Sequence, residues 1–350
     1  MRAGVYRGAF DIRVEEVADA VVEAPTDALV RVVRASVCGS DLWFYRGIRK
    51  EWESGWRTGH EITGLVEEVG DEVDTVRPGD LVVVSFAYGC GRCELCRGGL
   101  PTSCPQGAFF GGPRGGGQAE LVRVPFADTS CWVVPADTPE ERYDAVHLLS
   151  DVLLTGYHAA VLAGLDRADA TPATAVVVGD GAVGLSGVLS ARLLGAETVV
   201  LCGRHDDRLE IGRQFGATHT TALRGEALHE HVRQLTDGGA PAVLECVGTT
   251  DALADAAAVC RDGGRIGMVG VPVGVDGVPI FDMFRRNLTL AVGIAPTSIY
   301  VEKIGPLVAA GDIDPSPLAD ATFALDELPA AFEAMHDRSV IKAMVAMDGR

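Results

Sequence analysis

Lysine is almost missing from this chain: only Lys50, Lys303 and Lys342 occur, and every other basic residue is an arginine or a histidine. Lysine and arginine together number 30 against 49 acidic residues, a formal net charge of −19. With no positive surplus to neutralise phosphates, nucleic acid and anionic membrane surfaces are excluded as expected partners. The arginine bias fits either a GC-rich genome or adaptation to high salt, and the charge is given no catalytic role. Long hydrophobic runs are absent too. No stretch approaches the ~18 apolar residues of a bilayer span, and the opening MRAGVYRGAF lacks the apolar core of a signal peptide. The expectation is a cytoplasmic protein, in which thiols stay reduced. No internal repeat or low-complexity segment is evident. What remains is a chain of 350 residues, 47% apolar, long enough for two domains with separate cores.

The texture of those residues changes along the chain. Up to about residue 150, ALVRVVRAS, EITGLVEEVG and VRPGDLVVVSF are rich in Val and Ile and bounded by turn residues, the pattern of β-strands. From about 173, TAVVVGDGAVGLSGVLSARLLGAETVVLCGR reads as strand, glycine turn, Ala/Leu-rich helix and strand. PAVLECVG and GGRIGMVGV follow as further strands, with helical TDALADAAAVC between them, which predicts a parallel sheet. The rhythm ends near 294, and the tail closes on the strand-like IKAMVAM.

Four of the nine cysteines fall within GCGRCELCRGGLPTSC: Cys90, Cys93, Cys96 and Cys104, spaced C-x2-C-x2-C-x7-C. Zinc takes four soft ligands in a tetrahedron, and tight C-x2-C turns direct successive sulfurs at one point. Gly89, Gly91, Gly98 and Gly99 relieve the steric cost of such turns. Iron–sulfur ligation is the rival metal reading, but the spacing matches neither ferredoxin run well. Four protein ligands close the site to substrate, so this zinc is expected to be structural. A second set is dispersed. Cys38, His60 and either Glu61 or Asp151 are suitable zinc ligands, yet no two of their stretches make a metal motif alone.

Gly179, Gly181 and Gly184 form G-x-G-x-x-G directly after an apolar run and before a helix opening at Ala182 and Val183. The first glycine makes the turn, the second admits a pyrophosphate to the backbone, and the third permits close helix–strand packing. A helix N-terminus favours the phosphate charge. An NAD site usually carries Asp or Glu at the end of the next strand. Here that point reads Gly203-Arg204-His205, with Arg208 close behind. Loss of the carboxylate and gain of cations predict NADP(H) over NAD(H), with NAD(H) the alternative, and an aspartate introduced at 203 is expected to favour NAD.

The order Cys38-Gly-Ser40-Asp41, Gly59-His60-Glu61, four-cysteine lobe and glycine turn resembles the zinc-dependent medium-chain alcohol dehydrogenases over essentially the whole chain. The resemblance implies an α/β protein with a GroES-like β-rich catalytic domain from 1–152, a Rossmann doubly wound domain from 153–293, and a return segment, 294–350, that completes the first. It implies two zinc ions per chain, with catalytic zinc on Cys38, His60 and Asp151, Glu61 as a carboxylate that can approach the metal, and Asp41 holding the other nitrogen of His60. Zinc with three protein ligands keeps a position for an alcohol oxygen and lowers the alcohol's pKa. Ser40 matches the hydroxyl that takes the alcohol proton, and Lys342 a basic residue that reaches the cofactor diphosphate. Trp43 departs from the pattern, since many relatives carry histidine there to pass the proton onward. The relay then runs through the cofactor ribose and water or another group, and Trp43 shapes the pocket with Phe86. Implied partners are a small alcohol, aldehyde or ketone and further copies of the chain, as a homodimer or homotetramer. A polyol, threonine or formaldehyde-type dehydrogenase is the alternative within the family, and a cofactor-binding relative without activity the alternative outside it.

Overall fold

β-Branched side chains fit a pleated, half-buried surface, and the Val-rich runs of the first 150 residues become strands. The computed structural model describes residues 1–167, 174–273 and 275–347. A hairpin of β1 (Arg2–Gly8) and β2 (Asp11–Glu16) precedes β3 (Ala28–Ser36), α1 (Asp41–Tyr45), β4 (Ile62–Val69), β5 (Leu81–Val84), β6 (Leu121–Val124) and β7 (Cys131–Val133). β3 pairs antiparallel with β4 and β6, β4 with β5, and β5 with β7. Along β3, Ala28, Val30 and Val32 are buried while Arg31 is exposed, so one face becomes core. Ala35 lies opposite Ile62. The segment leaving β3 therefore runs beside the segment entering β4, and Cys38 meets His60 and Glu61 at the sheet's end.

The second compact unit spans Val152–Ala295. It contains α2 (Val152–Leu162), β8 (Thr174–Val178), α3 (Ala182–Leu193), β9 (Thr198–Cys202), α4 (Asp206–Gln214), β10 (His219–Thr221), α5 (Gly225–Leu235), β11 (Ala240–Glu245), α6 (Thr250–Val259), β12 (Cys260–Met268) and β13 (Thr289–Val292). The six strands are parallel, in the order β10-β9-β8-β11-β12-β13. Ala175, Val176 and Val177 of β8 are fully buried, as strands covered on both faces must be. The strand order reverses beside β8, and in such sheets ligands bind at the strand ends next to the reversal.

From Pro296 the chain rejoins the first unit. α7 (Thr297–Ala310), β14 (Ala321–Ala324), α8 (Leu328–Asp337) and β15 (Ala343–Ala346) follow. β15 pairs parallel with β14 and antiparallel with β3, completing a seven-stranded sheet. Met344 lies opposite Ser36, a register that delivers Lys342 to the same sheet end as Cys38. Among the described residues no single helix is long and apolar enough to cross a membrane.

Candidate metal centres and nucleotide turn

Ligand atoms of Cys38, His60, Glu61 and Asp151 all lie within 4.8 Å of one another. Cys38 Sγ is 3.5 Å from Asp151 Oδ2, and His60 Nε2 is 3.4 Å from the same oxygen. The other ring nitrogen, Nδ1, faces Asp41 Oδ1 at 3.2 Å. Asp41 Oδ2 accepts the backbone N–H of Cys38 at 3.0 Å, so one carboxylate at the start of α1 fixes two candidate ligands. Ser40 Oγ lies 3.4 Å from His60 Nε2. Phe86 meets the His60 ring edge to face at 6.3 Å and stacks on Phe109 at 6.0 Å. Trp43 sits in α1, half-buried, one turn from Ser40.

The electrostatics of this cluster ask for a cation. Burial raises the Cys38 thiol's pKa, and Glu61 and Asp151 add to the rise. Burial disfavours a charged His60, but Asp41 and Asp151 outweigh it and hold the ring well above its ordinary pKa. A buried cluster that raises the proton affinity of Cys38, His60 and Glu61 is equally suited to a divalent metal. Thiolate, imidazole and carboxylate together match zinc.

Lys342 and Glu61 form an ion pair in which both side chains are 1% exposed. Burial opposes the ammonium charge, and Glu61, with Cys38 and Asp151 behind it, more than offsets this, so Lys342 is held above its ordinary pKa. Lys342 is expected from the resemblance to reach a cofactor diphosphate; the register of β15 buries its amine against Glu61. Ser36 Oγ also donates to Glu61. It contacts His147 Nε2 at 2.8 Å, and Thr63 Oγ1 contacts His147 Nδ1 at 3.0 Å. Burial, then Lys342 and Arg34, push the His147 pKa well below its usual value. The sequence reading missed Ser36, Thr63 and His147. A signal existed for two of them, because Ser36 stands two residues before Cys38 and Thr63 two after Glu61, the spacing of one strand face.

In the cysteine lobe, all nine cysteines of the chain being free thiols, the sulfurs of Cys90, Cys93, Cys96 and Cys104 lie within 4.8 Å of one another. Backbone N–H groups organise them: Cys90 donates to Cys104 Sγ at 3.4 Å, and Cys96 to Cys93 Sγ at 3.4 Å. Cys93 caps the short helix Glu94–Arg97. The Arg92 N–H, foremost, lowers Cys90 to about 6, whereas burial followed by Cys93 raises Cys96 to about 12. Gly89 is needed for space, since a Cβ there would come within 2.9 Å of Pro101 O and 3.2 Å of Cys96 Sγ.

The glycine turn joins β8 to α3. Gly179 has φ +116°, a Cβ on Gly184 would come within 2.0 Å of Gly179 O, and one on Gly181 would point into open space. Tight packing behind and an open front at a helix N-terminus, with Ala182 and Val183 in its first turn, fit a dinucleotide phosphate. At the end of β9, Arg204 is exposed and His205 half-buried. Arg208, expected close behind them as a further 2′-phosphate contact, is buried in α4 and not free. Two further residues were missed. Asp180, inside the glycine turn, accepts from the Arg204 and His205 backbone, and Arg224 Nη2 donates to Gly203 O at 2.6 Å. A charged residue between two turn glycines was the available signal for Asp180.

Residues 24–136 match the family model of the alcohol dehydrogenase GroES-like domain, and residues 182–306 that of the zinc-binding dehydrogenases. Over 343 residues the chain is 36% identical to a probable zinc-binding alcohol dehydrogenase of Mycobacterium tuberculosis, covering 97% of this chain and 86% of the relative. It is 34% identical over 343 residues to a formaldehyde dismutase of Pseudomonas putida, 85% of this chain and 84% of the relative. The solved alcohol dehydrogenase of Thermus sp. ATN1 matches with a TM-score of 0.89 and 32% identity, covering 99% of both chains.

Proposed function

Since the chain belongs to the zinc-dependent medium-chain dehydrogenases/reductases, we propose that it transfers a hydride reversibly between a small alcohol and NADP(H). The observation that carries this reading is the convergence of Cys38, His60 and Asp151, with Ser40 Oγ 3.4 Å from His60 Nε2. Bound zinc supplies Lewis acidity toward the alcohol oxygen, and the nicotinamide supplies or accepts the hydride. Asp41 holds His60 in the orientation that turns Nε2 toward Cys38 and Asp151. Cys38, His60 and Asp151 would hold the zinc, while Glu61, bound through Oε2 to Lys342 and Ser36, stands beside them as a carboxylate that can approach the metal. Ser40 receives the alcohol proton. Phe86, stacked on Phe109 beside His60, gives the site an apolar side that favours a small carbon skeleton, and Trp43 is assigned to the substrate pocket with it. The four lobe cysteines hold a second zinc whose role is structural. Gly179, Gly181, Ala182, Val183 and Gly184 receive the pyrophosphate, and Arg204 and His205 the 2′-phosphate.

The formaldehyde dismutase similarity supports a second reading, a formaldehyde-type dehydrogenase rather than one acting on a simple alcohol. A panel of primary, secondary and polyhydroxy alcohols, threonine and formaldehyde, followed by nicotinamide absorbance, separates the two. Absence of turnover on every member by zinc-replete protein would remove the enzymatic reading altogether. Assembly as a homo-oligomer is supported by the exposed Ile280, Phe281 and Phe284 together with Val292 of β13, the sheet's edge strand. Sedimentation of Phe281→Asp protein as a monomer, with wild type as a dimer or tetramer, is the expected result.

A further inference from the structure

At the end of β9 the sequence offers no acidic side chain, yet the fold brings a carboxylate there from another element. Asp180, 8% exposed, belongs to the glycine turn after β8. Its Oδ2 accepts the backbone N–H of Arg204, the backbone N–H of His205 at 2.9 Å, and faces His205 Nδ1 at 2.9 Å. The turn is tied from its other sides as well. Gly179 N donates to Cys202 O at 2.9 Å, Gly203 N to Thr221 O at 3.0 Å, and Arg224 Nη2 to Gly203 O at 2.6 Å. Gly203 is compelled by the same arrangement, because a Cβ there would lie 2.7 Å from Asp180 Cβ and 2.8 Å from Asp180 Oδ2.

We propose that Asp180 is a specificity-determining positioning residue: it fixes the Gly203–His205 turn so that Arg204 is presented to the 2′-phosphate of NADP(H). The proposal rests on the NADP(H) reading above and gives it a cause. Backbone N–H groups left open at this strand end would serve any acceptor, including the free adenosine-ribose 2′-hydroxyl of NAD(H). Asp180 occupies two of them. The only donor groups that this turn still offers outward are then side chains, and the exposed Arg204 guanidinium makes no hydrogen bond or ion pair among the described residues. Its planar fork matches phosphate oxygens. The negative charge of Asp180 does not face the ligand unscreened. Burial raises its pKa, but the N–H groups of Arg204 and His205 and the His205 ring outweigh this and hold the carboxyl below its usual value, as a carboxylate saturated on one oxygen.

Asn and Ala at position 180 divide geometry from charge. Asn keeps an oxygen that accepts the two backbone N–H groups and loses the charge, whereas Ala loses both. Binding of NADP+, NAD+ and adenosine 2′,5′-bisphosphate is measured by titration calorimetry on wild-type, Asp180→Ala and Asp180→Asn protein, each checked for a cooperative melt. Expected for Asp180→Ala is about a tenfold loss of affinity for NADP+ and the bisphosphate, the loss of roughly one charge-assisted hydrogen bond, with NAD+ affinity altered less than about threefold. Asp180→Asn restores the wild-type ratio. An unchanged NADP+/NAD+ ratio in the alanine variant overturns the proposal. So does equal weakening of both cofactors, which marks Asp180 as a brace for the glycine turn alone, and so does tighter NADP+ binding, which marks it as a repelling charge. Wild-type protein that binds NAD+ more tightly than NADP+ sinks the cofactor reading itself, and that outcome is read before any variant is made.

Discussion

Asp41 and His60 form a carboxylate–imidazole pair, with Oδ1 3.2 Å from Nδ1, while the second Asp41 oxygen accepts the Cys38 N–H at 3.0 Å. Two ligands that approach from different strand ends are thereby fixed by one side chain. Carboxylates that orient a ligand histidine typically contribute 10–100-fold to metal affinity. Asp41→Ala protein is expected to lose zinc from the Cys38 site about that much more readily, in a titration with a colorimetric chelator. The zinc of the cysteine lobe should remain. Equal retention of both metals would show that Asp41 serves α1 and not the metal.

Metal analysis of wild-type protein should find two zinc ions per chain. Cys93→Ser is expected to lower the melting temperature and release one of them, because Cys93 both contributes a sulfur and caps the helix Glu94–Arg97. His60→Ala should also release one zinc but leave melting nearly unchanged while abolishing turnover. If Cys93→Ser were as stable as wild type, the lobe would not be a structural site.

Much of this arrangement was legible in the sequence, for reasons that differ by element. Strands β3 and β4 and the turn from β8 to α3 announce themselves locally, through Val-rich runs and glycines at fixed offsets. The cysteine lobe does so by spacing. Cys38, His60 and either Glu61 or Asp151 could be named as suitable ligands by residue type, but only resemblance joined Cys38, His60 and Asp151 into one site, since what unites them is the pairing of Ala35 with Ile62 and the chain's passage to residue 151. The buried partners escaped because they depend on long-range register. Lys342 reads as a tail cation until β15 is seen to bury it on Glu61. His147 lies 111 residues from the Ser36 it contacts. Asp180 was visible as a letter but not as a contact, because its partners lie beyond a whole helix and strand.

Acid sensitivity of the parallel-sheet unit should depend on His158. Burial lowers its pKa from 6.5 to about 4. Between those values the unfolded chain binds a proton that the native state does not, so native stability falls as pH drops from about 6.5 to about 4. The loss from this one group is at most about 3 to 4 kcal/mol, taking 1.36 kcal/mol for each of about 2.5 pKa units. Denaturant unfolding at pH 7 and pH 4.5 should show a smaller acid loss in His158→Gln than in wild type. Parallel pH dependence of the two proteins would assign the acid loss to other groups.

Proton transfer offers a kinetic test. Ser40→Ala should lower kcat far more than it weakens cofactor binding, because Ser40 lies at the ligand cluster in the first unit rather than at the glycine turn. Trp43→His places an imidazole one turn along from Ser40, where it is expected to add or shift an ionisation near pH 6–7 in the pH–rate profile. Normal turnover by Ser40→Ala would remove that hydroxyl from the reaction.

Cofactor preference can be tested at Arg204 without disturbing the turn that carries it. The sequence suggests pairing an Arg204 substitution with an aspartate at 203, to add repulsion to the loss of attraction. The structure argues against the aspartate: any Cβ at 203 would lie 2.6 Å from Leu209 Cδ2 and 2.7 Å from Asp180 Cβ. Gly203→Asp is therefore expected to destabilise the unit before it switches anything, visible as a lowered melting temperature with both cofactors bound poorly. Arg204→Ala removes an exposed side chain and leaves the backbone N–H that Asp180 accepts. A hydrogen bond to a charged group contributes about 1.5–3 kcal/mol, so NADP+ affinity should fall by roughly ten- to a hundred-fold while NAD+ affinity stays within about threefold. The difference should shrink at high salt, because screening weakens exposed charge contacts. Equal affinity of wild-type and Arg204→Ala protein for NADP+ at low salt would leave Arg204 as an ordinary solvated residue with no part in the cofactor preference.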